Sequence, residues 1–91
     1  MNNQSSHYIA SVITYHGPTD TKGSRVKIFL PRFQKGKIIP FDHSFNNSTD
    51  IAKDYLSRHG IQVKGECELG NAECLLIEWN YIEKLESLFS F

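Results

Sequence analysis

Between positions 24 and 30 the chain alternates strictly. Arg25, Lys27 and Phe29 fall on one side and Val26, Ile28 and Leu30 on the other. A period of two predicts a half-buried strand, here with a basic outer face. Residues 7–15 alternate more loosely but are rich in β-branched and aromatic types, which predicts an earlier strand. Residues 16–23, full of Gly, Pro, Thr and Asp, read as the loop between them. Pro31 ends the second strand because it has no N–H to give to a ladder. Residues 33–36 form a second basic loop. Residues 37–41 make a short third strand, placed near an edge or a strand end by Pro40.

The pattern then changes period. Ile51, Ala52, Tyr55 and Leu56 lie on one face of a helix over residues 48–59, with Asp54 and Arg58 paired i,i+4 on another. Asn47 or Ser48 can accept the first free backbone N–H groups, Asp50 suits the positive helix start, and Gly60 is the expected stop. Residues 61–69 and 72–78 flank Gly70-Asn71, a dipeptide suited to a two-residue hairpin turn. That register sets Leu69 against Ala72, Glu68 against Glu73 and Cys67 against Cys74. Asn80, with Glu83 three residues on, is the expected cap of a last helix over 80–89, striped by Ile82, Leu85, Leu88 and Phe89. The expectation is one α+β domain over residues 1–91 in the order βββ-α-ββ-α. Two helices lie on one face of a mainly antiparallel sheet, burying Val26, Ile28, Leu75 and Ile77.

Length changes this picture little: 91 residues bury a modest core, about 60–65% of the unfolded surface. A composition that is 40% hydrophobic and 22% charged argues against disorder over most of the chain. Residues 1–6 are polar and expected to be loose, without the basic and apolar regions of a signal peptide. No apolar run approaches the ~18 residues of a membrane span, so a cytosolic protein is expected.

Charge changes the picture more. The formal net charge is 0, yet nine Lys/Arg against four Asp/Glu up to Lys64 give +5, and one Lys against six Glu from Gly65 onward give −5. Six of the ten basic residues are Lys22, Arg25, Lys27, Arg32, Lys35 and Lys37, with Phe29 and Phe33 interleaved. Cations that track phosphates beside rings that stack on bases are what a single-stranded nucleic-acid binder uses. This segment is the leading candidate site for RNA or a charged protein partner. Basic residues on edge strands also discourage aggregation, a structural reason for some of them. Glu66, Glu68 and Glu73 form a possible second contact. The like-charge pair Glu68–Glu73 hints at a cationic partner for the hairpin.

Other chemistry finds no support. Residues 17–24 read G-x-x-x-x-K-G-S, with Lys and Gly swapped relative to a Walker A loop and a strand following where a helix should. His7, His16, His43 and His59 are scattered, and immediate neighbours such as Asp42-His43-Ser44 cannot form a relay. As cross-strand neighbours Cys67 and Cys74 could be bridged, but a reducing cytosol leads to the expectation of free thiols, and no second ligand pair offers a zinc spacing. No catalytic residue, cofactor, metal or small-molecule substrate is expected.

The stretch Tyr15-His-Gly-Pro-Thr-Asp-Thr-Lys-Gly-Ser-Arg-Val-Lys27 is similar to a turn pattern, G-P-T-x-T-[KR]-G-S-R, of small phage-encoded proteins. Asp42-His43 and the helix ending at Gly60 extend the likeness over roughly the first two thirds. Taken whole, the chain resembles the anti-CRISPR proteins that act on the type I-F (Csy) surveillance complex. That resemblance implies a non-enzymatic inhibitor working in the cytoplasm of an infected bacterial host. It would bind the complex's Cas subunits and its guide RNA and keep target DNA from hybridising. Many such inhibitors are strongly acidic DNA mimics; a neutral chain with a basic segment departs from that and favours contact with guide RNA or an acidic subunit surface. The alternative is a small phage nucleic-acid-binding accessory protein using the basic 22–37 segment alone.

Overall fold

A computed structural model of the chain describes residues 8–21, 23–69 and 72–90. The 1–6 segment expected to be loose, His7, the candidate Lys22, and Gly70-Asn71, where a turn is expected, lie outside the described residues. Five strands, β1 (Tyr8–His16), β2 (Arg25–Leu30), β3 (Lys35–Pro40), β4 (Val63–Leu69) and β5 (Ala72–Glu78), alternate with two helices, α1 (Ser48–Arg58) and α2 (Ile82–Phe89). The order is the expected βββ-α-ββ-α. All neighbouring strands pair antiparallel in the order β3-β2-β1-β5-β4. The first strand is therefore central, with the β2–β3 hairpin on one side and the β4–β5 hairpin on the other.

Pairing carries one apolar set through the sheet. Val26 and Ile28 stand opposite Tyr15 and Ile13, Ile9 opposite Ile77, Ser11 opposite Leu75, and Ile39 opposite Val26. Most of these side chains are buried, and they meet Ile51, Ala52 and Leu56 of α1 and Leu85 and Phe89 of α2 in one core. Ser11 belongs to that core because its hydroxyl donates to the Leu75 carbonyl at 3.1 Å, which satisfies the buried group. Among the described residues the other sheet face carries no helix.

Local signals set most element ends. The Asn47 side chain accepts from Asp50 N at 2.9 Å and caps α1. At its other end Gly60 has φ +78°, a left-handed conformation that glycine adopts without a Cβ clash. Ile61 N then donates to Leu56 O at 2.9 Å and Gly60 N to Ser57 O at 3.0 Å, a Schellman closure. Ile61 and Leu56, both buried, provide its apolar contact. Ile61 thus ends the helix instead of opening β4, which begins at Val63. Pro31 does end β2, and Phe33 N donates to Leu30 O at 3.1 Å, closing a four-residue turn. Strand β3 consequently starts at Lys35, two residues before the expected 37.

The start of the last helix also differs from expectation. A 3₁₀ turn over Trp79–Tyr81 precedes α2, and neither Glu78 nor Tyr81 makes a side-chain cap bond. Winding begins one residue before Asn80, so Asn80 lies inside the turn rather than at the extended position a capping side chain needs.

Candidate functional site

The register of β3 decides what becomes of the basic segment. Lys27 pairs with Ile38 and Arg25 with Pro40, whereas Ile28 pairs with Lys37 and Leu30 with Lys35. Paired residues share a face. Of the six basic residues of the 22–37 segment, Arg25 and Lys27 therefore stand on the open face and Lys35 and Lys37 on the opposite one, the helix side of the edge strand β3. Arg32 lies in the β2–β3 turn, its guanidinium 4.9 Å from the Trp79 ring centre. Phe33 also leaves the cluster; it packs on the core, 6.0 Å from Trp79 ring to ring.

On the open face Lys27 and Phe29, two apart on β2, lie side by side with the ammonium 5.1 Å from the ring centre. Gly36 stands opposite Phe29 and makes room for both. A Cβ there would come within 2.9 Å of Lys27 Cε and 3.3 Å of Phe29 Cδ1. Ile38 beside them is 53% exposed, and Ala10, Val12 and Leu76 continue the apolar surface across β1 and β5. At one end, His16 and Arg25 are Cα partners, and Nε2 of His16 and Nε of Arg25 are both buried without a hydrogen-bond partner. Buried polar atoms ordinarily find partners, and these two, like Oγ1 of Thr49 in the core, have none among the described residues. A ring, an ammonium, a guanidinium and an imidazole are thus collected on one uncovered sheet. From sequence His16 is a scattered histidine opening the 16–23 loop, not a binding residue; its turn-rich surroundings give no sign that β1 extends to include it.

The acidic hairpin folds in the expected register, with Glu68 opposite Glu73 and Cys67 opposite Cys74. One residue is inserted near its start: the pairing steps from Val63–Ile77 to Gly65–Leu76 and leaves Lys64 as a bulge. Glu66 already has an internal partner, Lys53 of α1, at 2.7 Å. That hydrogen bond raises the Lys53 pKa from its ordinary 10.5. Asp50 stands 3.6 Å from the same ammonium. Glu68 and Glu73 are exposed, facing each other on the helix side of the sheet. The thiols of Cys67 and Cys74 are free. Burial, with the neighbouring Cys67, pushes Cys74 up to about 12.

A concavity opens on the helix side. Between the 41–45 loop and α1 lies a cleft of ≈ 610 Å³, floored by Ile39 and Ile51 and lined by Phe41, Phe45, Tyr55, Asp42, Asp54 and Arg58 among others. Sequence reading passed over it, although rings at 41, 43 and 45 around a short Asp-His-Ser turn were a visible signal. Among the described residues no group of three or more His, Cys, Asp or Glu is placed to hold a metal, and no helix is long and apolar enough to cross a membrane. Compared with protein-family models, curated proteins and solved structures, the chain matches none.

Proposed function

We propose that this chain is a binding protein without catalytic chemistry of its own, an inhibitor that docks on the guide-loaded type I-F surveillance complex and blocks pairing of target DNA. The partner is suggested by the resemblance of the 15–27 stretch and the helix ending at Gly60. The single observation that carries a binding role is the uncovered sheet face. It gathers Lys27 against Phe29 and leaves Nε of Arg25 and Nε2 of His16 unsatisfied. The Arg25 guanidinium and the Lys27 ammonium beside the Phe29 ring are the groups that suit phosphates and an adjoining base. In a guide-loaded complex the exposed nucleic acid of that description is the guide RNA.

The same face favours a second reading, a nucleic-acid-binding accessory protein that needs no Cas subunit. Affinity measurements separate the two. Arg25→Glu with Lys27→Glu is expected to weaken binding to the purified guide-loaded complex on the order of tenfold, because reversal adds repulsion to lost attraction. Wild-type protein is expected to bind free single-stranded RNA far more weakly than the complex. Equal affinity for free RNA replaces the first reading by the second. A reversed variant that melts like wild type and binds as tightly removes the open face from either.

A further inference from the structure

The cleft on the helix side is a second site, on the opposite side of the sheet from the open face. We propose that it receives one cationic side chain, an arginine or a lysine, presented by a partner protein.

Its size and lining fit such an anchor. A volume of ≈ 610 Å³ lies within the ordinary range of built binding clefts and is ample for one long side chain. Ile39 and Ile51, both nearly fully buried, give an apolar floor for a methylene stem. Phe41, Phe45 and Tyr55 supply aromatic rings, whose electron-rich faces attract ammonium and guanidinium groups. Phe41 is itself held by rings on two sides, edge-on to Tyr15 at 5.5 Å and tilted to His43 at 5.1 Å.

Charge decides between occupants. Asp42 and Asp54 against Arg58 leave the lining with a formal charge of −1, counting His43 as neutral. Arg58 is already engaged, its guanidinium 2.8 Å from Asp54 Oδ2. Asp42 is fixed by two bonds to Oδ1, from Ser44 N at 2.9 Å and Ser44 Oγ at 2.7 Å. Its Oδ2 keeps its acceptor capacity. The Ser44 bonds hold this carboxyl below its ordinary 3.8, so it is ionised throughout the neutral range. A nucleotide in the same cleft would set its phosphates against that carboxylate, whereas a cation meets the carboxylate at the rim and the rings within. The proposal stands apart from the open-face reading, because it needs neither RNA nor the surveillance complex.

The test uses the full chain, ¹⁵N-labelled, titrated with the peptide Ac-Gly-Arg-Gly-NH₂. Its norleucine counterpart and AMP serve as the other arms. The arginine peptide is expected to shift the amides of residues 41–45 and of Tyr55, with a Kd on the order of millimolar, as suits a single exposed anchor. Asp42→Asn keeps the side-chain oxygen that Ser44 uses and is expected to weaken that binding roughly two- to fivefold. Norleucine peptide binding as well as arginine would make the cleft a plain apolar groove, and AMP binding more tightly would make it a nucleotide site. Either result overturns the proposal, as does an arginine peptide that leaves these amides unmoved, or an unchanged affinity in Asp42→Asn.

Discussion

At the scale of the residue, the two cysteines differ from each other in burial. Cys74 is buried on the open face and Cys67 half-buried opposite it. A thiol whose pKa is higher in the folded than in the unfolded chain favours folding fully below the ordinary value of 9.0. That contribution is lost as pH rises from there through about 12. Tyr55, raised by burial from 10.0, and Lys53, raised by Glu66 from 10.5, act in the same direction at higher pH. The urea midpoint is therefore expected to fall above pH 9, and less steeply in Cys74→Ala than in wild type between pH 9 and 10. Identical slopes would deny Cys74 a part in alkaline unfolding. In the native protein at neutral pH a maleimide is expected to label Cys67 well before Cys74.

At the scale of the element, the two helices are held by different means. Helix α1 has 11 residues, a side-chain N-cap and a glycine stop, so much of its definition is local. Asn47→Ala should cost about 1 kcal/mol, whereas Asn80→Ala, which removes no cap bond, should cost under about 0.5 kcal/mol. Equal costs in denaturant melts would restore Asn80 as a cap. Helix α2 has 8 residues, too few to persist alone, and is held by burial of Leu85 and Phe89. Leu85→Ala is expected to cost about 2–4 kcal/mol as a cavity in a small core. A melt unchanged by it would mean that α2 is not docked. The cap of α1 and the apolar stripes of both helices are visible in sequence because they depend on near neighbours. The 3₁₀ entry to α2 is not, because it is set by where β5 releases the chain against the core.

At the scale of the whole molecule, topology turns the charge split along the chain into a charge gradient across the sheet. The basic strands β2 and β3 form one edge, the glutamate-bearing β4 and β5 the other, and β1 keeps them apart. The two faces of the basic edge are then separable by experiment. Lys35→Glu with Lys37→Glu is expected to leave affinity for the guide-loaded complex within about threefold of wild type, while Arg25→Glu with Lys27→Glu lowers it on the order of tenfold. The gap should narrow at high salt, where exposed charges are screened. If the lysine pair proves the costlier, the helix side of the edge is the binding surface.

Taken alone, the sequence determined the order of the strands along the chain, the cap and stop of α1, the β4–β5 register and part of the core. Each follows from a period, a cap or a turn acting over a few positions: Val26/Ile28/Leu30 alternate, Asn47 and Gly60 bracket α1, and Cys67 and Cys74 sit symmetrically about two turn residues. Charge clustering in sequence was legible too, but not which charges would meet. Alternation fixes which residues of one strand share a face; it leaves open how that face aligns with the next strand. The four-residue turn from Leu30 to Lys35 settled this, since a shift of one residue would have moved Lys35 and Lys37 beside Lys27. Only tertiary structure placed β1 at the centre, joined His16 to Arg25, gave Glu66 to Lys53 and closed the 41–45 loop over α1 as a cleft. Those contacts join residues distant in sequence. Their geometry is fixed by the packing of the shared core, which no local pattern encodes.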